Sequence, residues 1–211
     1  MEIPLFTWIT LSTSLIVVVV GVLRFKVLIP ELKILLLFLC IVLINNIMLV
    51  YWSILKINSS IFLHFYTLIE YAFLAYILSR WIKSDKFRKN VQLSIVFFFL
   101  IWLIAKFTFE KLDQFDSATA TLSHFLLIIF SATSLMEINR ELLEKIYKDP
   151  RFWVVSAILL YSTGSVIWLA LGNYIITWPR AQMMVAWSLH WLLDIFTNFL
   201  YMGGFLCPDH R

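Results

Sequence analysis

The 211-residue chain is 62% apolar and only 14% charged, with a net charge of +4 and a mean hydropathy of +0.89. A soluble domain is nearer half apolar and a quarter charged, so a soluble fold could not hide this much apolar surface. The basic balance does not point to nucleic acid either, because the lysines and arginines gather at the ends of apolar segments, where membrane proteins carry them.

Seven apolar segments follow one another, each near the ~20 residues that cross about 30 Å of hydrocarbon. The first, Leu5–Leu23, has no basic residue before it, and Arg24 and Lys26 follow it. That is the charge order of a retained first helix with its N-terminus outside, not of a cleaved signal. The second, Leu32–Trp52, follows Pro30, which suits a first helical turn, and carries Asn45, Asn46 and Ser53. The third, Ile61–Ile82, is interrupted by Glu70, with Tyr66 and Thr67 on the same face. The fourth, Val91–Phe109, has almost no polar residues beyond Ser94 and Thr108 and reads as a peripheral, lipid-facing span. The fifth, Ser117–Ile138, is opened by Asp116 and Ser117 and keeps Ser117, Thr121, His124 and Ser131 on one side. Asp149 and Pro150 form an N-cap and first turn for the sixth, Phe152–Leu171. The seventh, Gln182–Leu206, follows Pro179 and repeats Trp187, His190, Asp194, Asn198 and Tyr201 at helical spacing on one face. The expected fold is all-α: one polytopic domain over residues 1–211, a bundle of seven transmembrane helices.

One set of loops and ends holds Arg24, Lys26, Lys33, Arg80, Lys83, Lys86, Arg88, Lys89, Arg140, Lys145, Lys148, Arg151 and Arg211; the other holds only Lys56, Lys106, Lys111 and Arg180. Thirteen basic residues against four make the first set cytoplasmic, with the N-terminus outside and the C-terminus inside. Trp8, Trp52, Trp81, Trp153 and Trp178 fall near the expected interfaces, as an aromatic belt requires. Cys40 and Cys207 have no metal-type spacing and are expected to be free thiols.

Glu70 and Asp194 carry the functional signal, because an ionisable group at bilayer depth costs roughly 3 kcal/mol on insertion scales and marks a site by default. At ~1.5 Å per residue from the outer helix ends, Asn46 lies roughly 9 Å deep, His124 about 10, His190 about 12, Glu70 about 14 and Asp194 about 18. Lipid cannot satisfy these groups, so the polar faces should meet in one central, outward-facing pocket lined by Asn46, Tyr66, Glu70, His124, His190, Asp194 and Asn198. The plainer reading is interhelical hydrogen-bond glue, worth about 0.6 kcal/mol per contact, which suits the asparagines and hydroxyls best.

No lysine lies in the seventh segment to anchor a retinal Schiff base, and no Gly-rich phosphate loop, HExxH or Cys pair is present, so no cofactor is expected. His124, His190 and Asp194 form an alternative Zn²⁺ set for an intramembrane hydrolase, with His64 and Glu70 nearby in sequence pattern. Segments one to three and five to seven also allow a faint parallel repeat, with His64-Phe65…Glu70 matching His190-Trp191…Asp194, which would favour a proton-coupled transporter. At the other end of the bundle, Glu137–Lys148 continues with helical spacing, with Glu141→Lys145 and Glu144→Lys148 pairs beside Leu142, Leu143, Ile146 and Tyr147. It reads either as a solvated helix extension or, with Arg80, Lys83, Lys86, Arg88, Lys89, Arg140, Leu143, Ile146 and Tyr147, as a docking surface for a cytoplasmic or membrane signalling protein.

The fragments Phe65-Tyr66-Thr67-Leu68-Ile69-Glu70-Tyr71, Asp149-Pro150-Arg151-Phe152-Trp153 with Leu160-Tyr161-Ser162-Thr163-Gly164, and His190…Asn198-Phe199-Leu200-Tyr201 followed by Cys207 resemble a group of small seven-helix membrane proteins of Bacteroidota. That group is similar to the membrane modules of some sensor kinases. The resemblance spans nearly the whole chain and implies a sensory or accessory role in a bacterial inner membrane. The resemblance carries over no activity residue by residue, and any signalling output would belong to a partner; the polar pocket without a catalytic set points to a small or lipidic ligand.

Overall fold

The structure is a computed structural model and describes residues 4–141 and 146–207. Its described residues form eight α-helices: α1 (Leu5–Leu23), α2 (Pro30–Leu55), α3 (Ser60–Trp81), α4 (Asp85–Thr108), α5 (Ser117–Glu141), α6 (Pro150–Ala170), α7 (Gly172–Ile175) and α8 (Arg180–Leu206). All but α7 are long and apolar enough to cross a membrane. Large apolar side chains such as Leu15, Val19, Ile44, Phe97, Ile104 and Phe196 stand exposed on the outside of the bundle. Soluble proteins do not leave such a surface to water, whereas a bilayer covers it.

Helix ends follow local chemistry. Pro30 and Pro150 occupy first-turn positions, and the Asp149 side chain caps α6 by accepting from the Arg151 amide at 2.8 Å. The second helix runs three residues past Trp52 and is closed by Lys56 in the left-handed region (φ 56°), with the Ile57 amide donating to the Trp52 carbonyl at 3.0 Å. The short α7 was not expected. Its Gly172 lies under the Phe115 ring, where an added Cβ would come within 2.4 Å, so the chain turns closely there before Pro179 restarts it.

Six of the long helices close a ring in the order α1, α2, α3, α5, α6, α8, with α8 packed back on α1. The fourth helix stands outside, against α3 and α5, as its lack of polar residues led one to expect. Polar clasps fix the seams. Asn198 of α8 donates to Thr13 (3.2 Å) and Ser14 (3.0 Å) of α1, and the hydroxyls of Tyr71 and Ser94 join α3 to α4 at 2.7 Å. One half of the ring is filled with side chains: Leu35, Leu39, Leu74, Leu78, Leu127, Val155, Ile158 and Phe205 are all buried in one core. The aromatic belt is only partial. Trp8 is exposed, but Trp52 of α2 stacks on Phe62 of α3 (3.8 Å between centroids) and Trp81 is buried in the core, because neighbouring helices offer more contact than a headgroup layer.

Of the expected helical extension Glu137–Lys148, the described residues show α-helix through Glu141 and a single 3₁₀ turn at Ile146–Lys148. Pro150 disfavours helix in Asp149, the extended N-cap residue before it. Glu141 pairs across the loops with Lys83 and Arg151, each at 3.1 Å. Leu142, Leu143, Glu144 and Lys145 lie outside the described residues. Of the expected docking set, Arg80 is engaged by Glu31 (3.4 Å) and Arg88 by Asp85 (2.5 Å). Lys86, Lys89, Arg140 and Tyr147 are exposed, and Ile146 packs partly into the core.

Candidate functional site

The other half of the ring encloses a cavity of about 510 Å³, lined by all six ring helices and not by α4. Pro4, Ser59 and Arg180 mark its rim, at the helix ends. Glu70 and Asp194 lie deep in it, on α3 and α8, just above the packed core. Asn46, Tyr66, His124 and His190 also line it. Asn198 does not: it is one turn too far along α8, and both its donated hydrogen bonds go to α1.

Around Glu70, the Tyr66 hydroxyl donates at 3.3 Å and His124 Nε2 stands 3.7 Å from the carboxylate. On the facing helix, His190 Nε2 is 3.9 Å from Asp194. Both imidazole contacts are longer than a hydrogen bond, so neither acid is neutralised by a tight ion pair. Each imidazole also has a buried Nδ1 without a hydrogen-bond partner among the described residues.

Aromatic rings hold the histidines in place. Tyr161 packs against both His124 (5.3 Å) and His190 (5.9 Å), Trp168 stacks on His190 at 4.6 Å and 8°, and Trp187 meets Trp168 edge to face at 4.5 Å. With Trp191 these rings make one wall of the cavity. The interleaved Tyr161 also corrects the zinc alternative. Among the described residues no three His, Cys, Asp or Glu side chains form a group able to hold a metal, and His124, His190 and Asp194 are not assembled as one. The α6 part of this wall was missed from sequence, although Tyr161, Ser165 and Trp168 recur at i, i+4, i+7 and so share a face.

A second polar cluster sits beside the rim, between α3, α4 and α5. Lys106 turns inward from the end of α4 and donates to Glu110 (2.5 Å), His64 Nδ1 (2.6 Å) and Thr119 (3.1 Å). Glu110 also accepts from the Thr119 hydroxyl (2.6 Å) and from the amides of Ala118 (2.7 Å) and Thr119 (3.2 Å), which ties the α4–α5 loop to the start of α5. The other ring nitrogen of His64 donates to the Gln114 carbonyl at 3.0 Å. Burial works to raise the Glu110 carboxyl, but the Lys106 and Thr119 hydrogen bonds outweigh it and hold the group below the usual carboxylate range. Next to it, Thr67 donates to the buried Asp116, whose carboxyl is pushed up to about 6 by burial against the opposing pull of that hydrogen bond. His64 therefore belongs to this cluster and not to the cavity lining, so the match of His64…Glu70 with His190…Asp194 does not hold at the side-chain level. Lys106, read from sequence as a loop charge, is a buried ion-pair partner, and its i, i+4 spacing to Glu110 was the available signal.

No family model, no curated protein and no solved structure matches the chain. Any functional reading therefore rests on the residues themselves.

Proposed function

We propose that this chain is a receptor-like membrane module that binds a small or lipidic ligand in the ring cavity and passes its occupancy to a membrane or cytoplasmic signalling partner. In this reading the N-terminus and the cavity mouth face outward from a bacterial inner membrane, and the basic loops face the cytoplasm. The thirteen-to-four distribution of basic residues supports that orientation. The observation that carries the proposal is a cavity that reaches two acids midway along α3 and α8, beside a core of packed side chains. A pocket beside well-packed helices couples occupancy to helix positions. The basic loops at the far end of α3, α4 and α5 then report them.

A photocrosslinking residue placed at Lys86 or Tyr147 in native membranes tests this. A crosslinked partner whose yield changes in Glu70→Gln or Asp194→Asn, at equal protein level, supports the reading. An identical crosslinking pattern in both variants refutes it.

One observation favours a transporter as the second reading. The ring order maps α1, α2 and α3 onto α5, α6 and α8, with α4 left over, so that every neighbouring pair in one triplet has its counterpart in the other. Parallel repeats in carriers have this property. Alternating access would make a cysteine at Leu74 or Leu78 reactive toward an impermeant reagent from the basic face. Lasting protection of both sites excludes it.

A further inference from the structure

We infer that the cavity selects an organic cation, an ammonium or similar group carried on an aromatic or branched apolar body. This assignment rests on the binding-module reading and names the chemistry of its ligand. The acidic groups at the cavity's depth are two carboxyl side chains. Glu70 and Asp194 approach from opposite sides of the ring, and neither is within hydrogen-bond distance of the imidazole beside it. Among the described residues no lysine lines the cavity, and its one lining arginine stands at the rim. Arg180 is exposed at the rim, fourteen residues and thus roughly 20 Å along α8 from Asp194. Lys106 is held by Glu110 outside the lining.

Two buried acids without a cation are costly in a low-dielectric site, and a ligand that brings a positive charge removes that cost. One wall beside the acids is aromatic: Tyr161, Trp168, Trp187 and Trp191 present rings, and ring faces attract cations most strongly where water is excluded. His124 gives independent support. It is 98% buried, lines the cavity, and keeps an unpartnered Nδ1. Unlike the clasp residues, it is therefore not consumed by the fold. A volume of about 510 Å³ lies within the usual range for sites that enclose a small molecule. The same cation could be a free amine or the quaternary headgroup of a lipid.

The test uses the full chain in nanodiscs of anionic lipid and three probes of nearly one shape. These are benzyltrimethylammonium, its neutral carbon isostere neopentylbenzene, and the anion phenylmethanesulfonate. Binding is read as a saturable change in tryptophan fluorescence, assigned to the cavity by its loss in Trp187→Phe. The cation is expected to bind about tenfold or more tightly than either other probe, the order of a desolvated cation–π and carboxylate contact. Asp194→Asn and Glu70→Gln should each weaken it by a similar factor. Asp194→Glu restores binding, which shows that charge and not folding was lost.

Repeating the titration with phosphocholine lipid in the disc separates the sources. Competition marks a headgroup and no competition a free cation, and either supports the cation class. If the neutral or anionic probe saturates the cavity as tightly as the cation, the cation assignment is overturned while the binding-module reading survives. If none of the three gives a saturable signal, both are overturned.

Discussion

Asp116 offers a stability test with a definite sign. It is 2% exposed at the cavity rim, and burial lifts its carboxyl from the ordinary 3.8 to about 6. The rise of about two pKa units corresponds to about 3 kcal/mol, since one unit is about 1.4 kcal/mol. The folded state holds this proton more tightly than the unfolded state. Below pH 3.8 both states are protonated and the site costs nothing in charge. From pH 3.8 to about 6 the unfolded chain releases its proton first, so stability falls as pH rises, and above pH 6 the full cost is present. Glu110 works the other way: its contribution is present above the ordinary carboxylate range and is lost as pH falls. Asp116→Asn removes only the first effect. The variant should therefore gain on the wild type by most of about 3 kcal/mol between pH 4 and pH 8. Any fixed cost of burying an amide cancels in that comparison. The assay is reversible unfolding in mixed micelles at each pH. A difference between the two proteins that stays flat with pH, or shrinks as pH rises, would refute the reasoning.

Two further outcomes follow from the polar seams. Glu110→Ala leaves the Lys106 ammonium buried with only His64 and Thr119, and should cost about 3–5 kcal/mol, whereas Lys106→Met combined with Glu110→Leu should cost clearly less. Thermal unfolding followed by a thiol-reactive dye on Cys40 and Cys207 measures both, and a double variant worse than the single one contradicts the argument. Asn198→Ala removes both donations to α1 and should cost roughly 0.6–1.7 kcal/mol while leaving cavity binding intact, because Asn198 is a clasp and not part of the lining. Weakened binding of a cavity probe at unchanged stability would reverse that assignment.

The spans were legible because hydropathy, flanking charge and the two first-turn prolines all point to the same boundaries. Observed and expected ends differ by a turn or two, as at α2 and α4. The cavity acids were legible for a related reason: Glu70 and Asp194 are conspicuous in segments with few other charges. The ring order was not legible, because helical periodicity says which face is polar but not which helix that face meets. Three further features depend on tertiary partners several elements away. Lys106 folds inward only because Glu110, His64 and Thr119 converge on it. Tyr161 joins the site only because α6 is packed between α5 and α8. Glu141 pairs with Lys83 and Arg151 only because the loop after α3 and the start of α6 meet at the end of α5.

The contrast between the two polar clusters carries the argument for a site. Both place acids and histidines among apolar helices, and position alone does not separate structure from function. Hydrogen-bond satisfaction does. At the rim, Glu110 accepts four hydrogen bonds and Lys106 donates three, so the cluster is complete and its work is to fasten the α4–α5 loop to α3 and α5. In the cavity, Glu70 has one long hydrogen bond from Tyr66, and the nearest imidazoles stop short of both acids. The Trp168 indole nitrogen and both histidine Nδ1 atoms find no partner among the described residues. A fold that can satisfy a buried lysine this fully has no physical need to leave two acids open a few turns away. The open acids line a cavity large enough to admit a molecule that completes them.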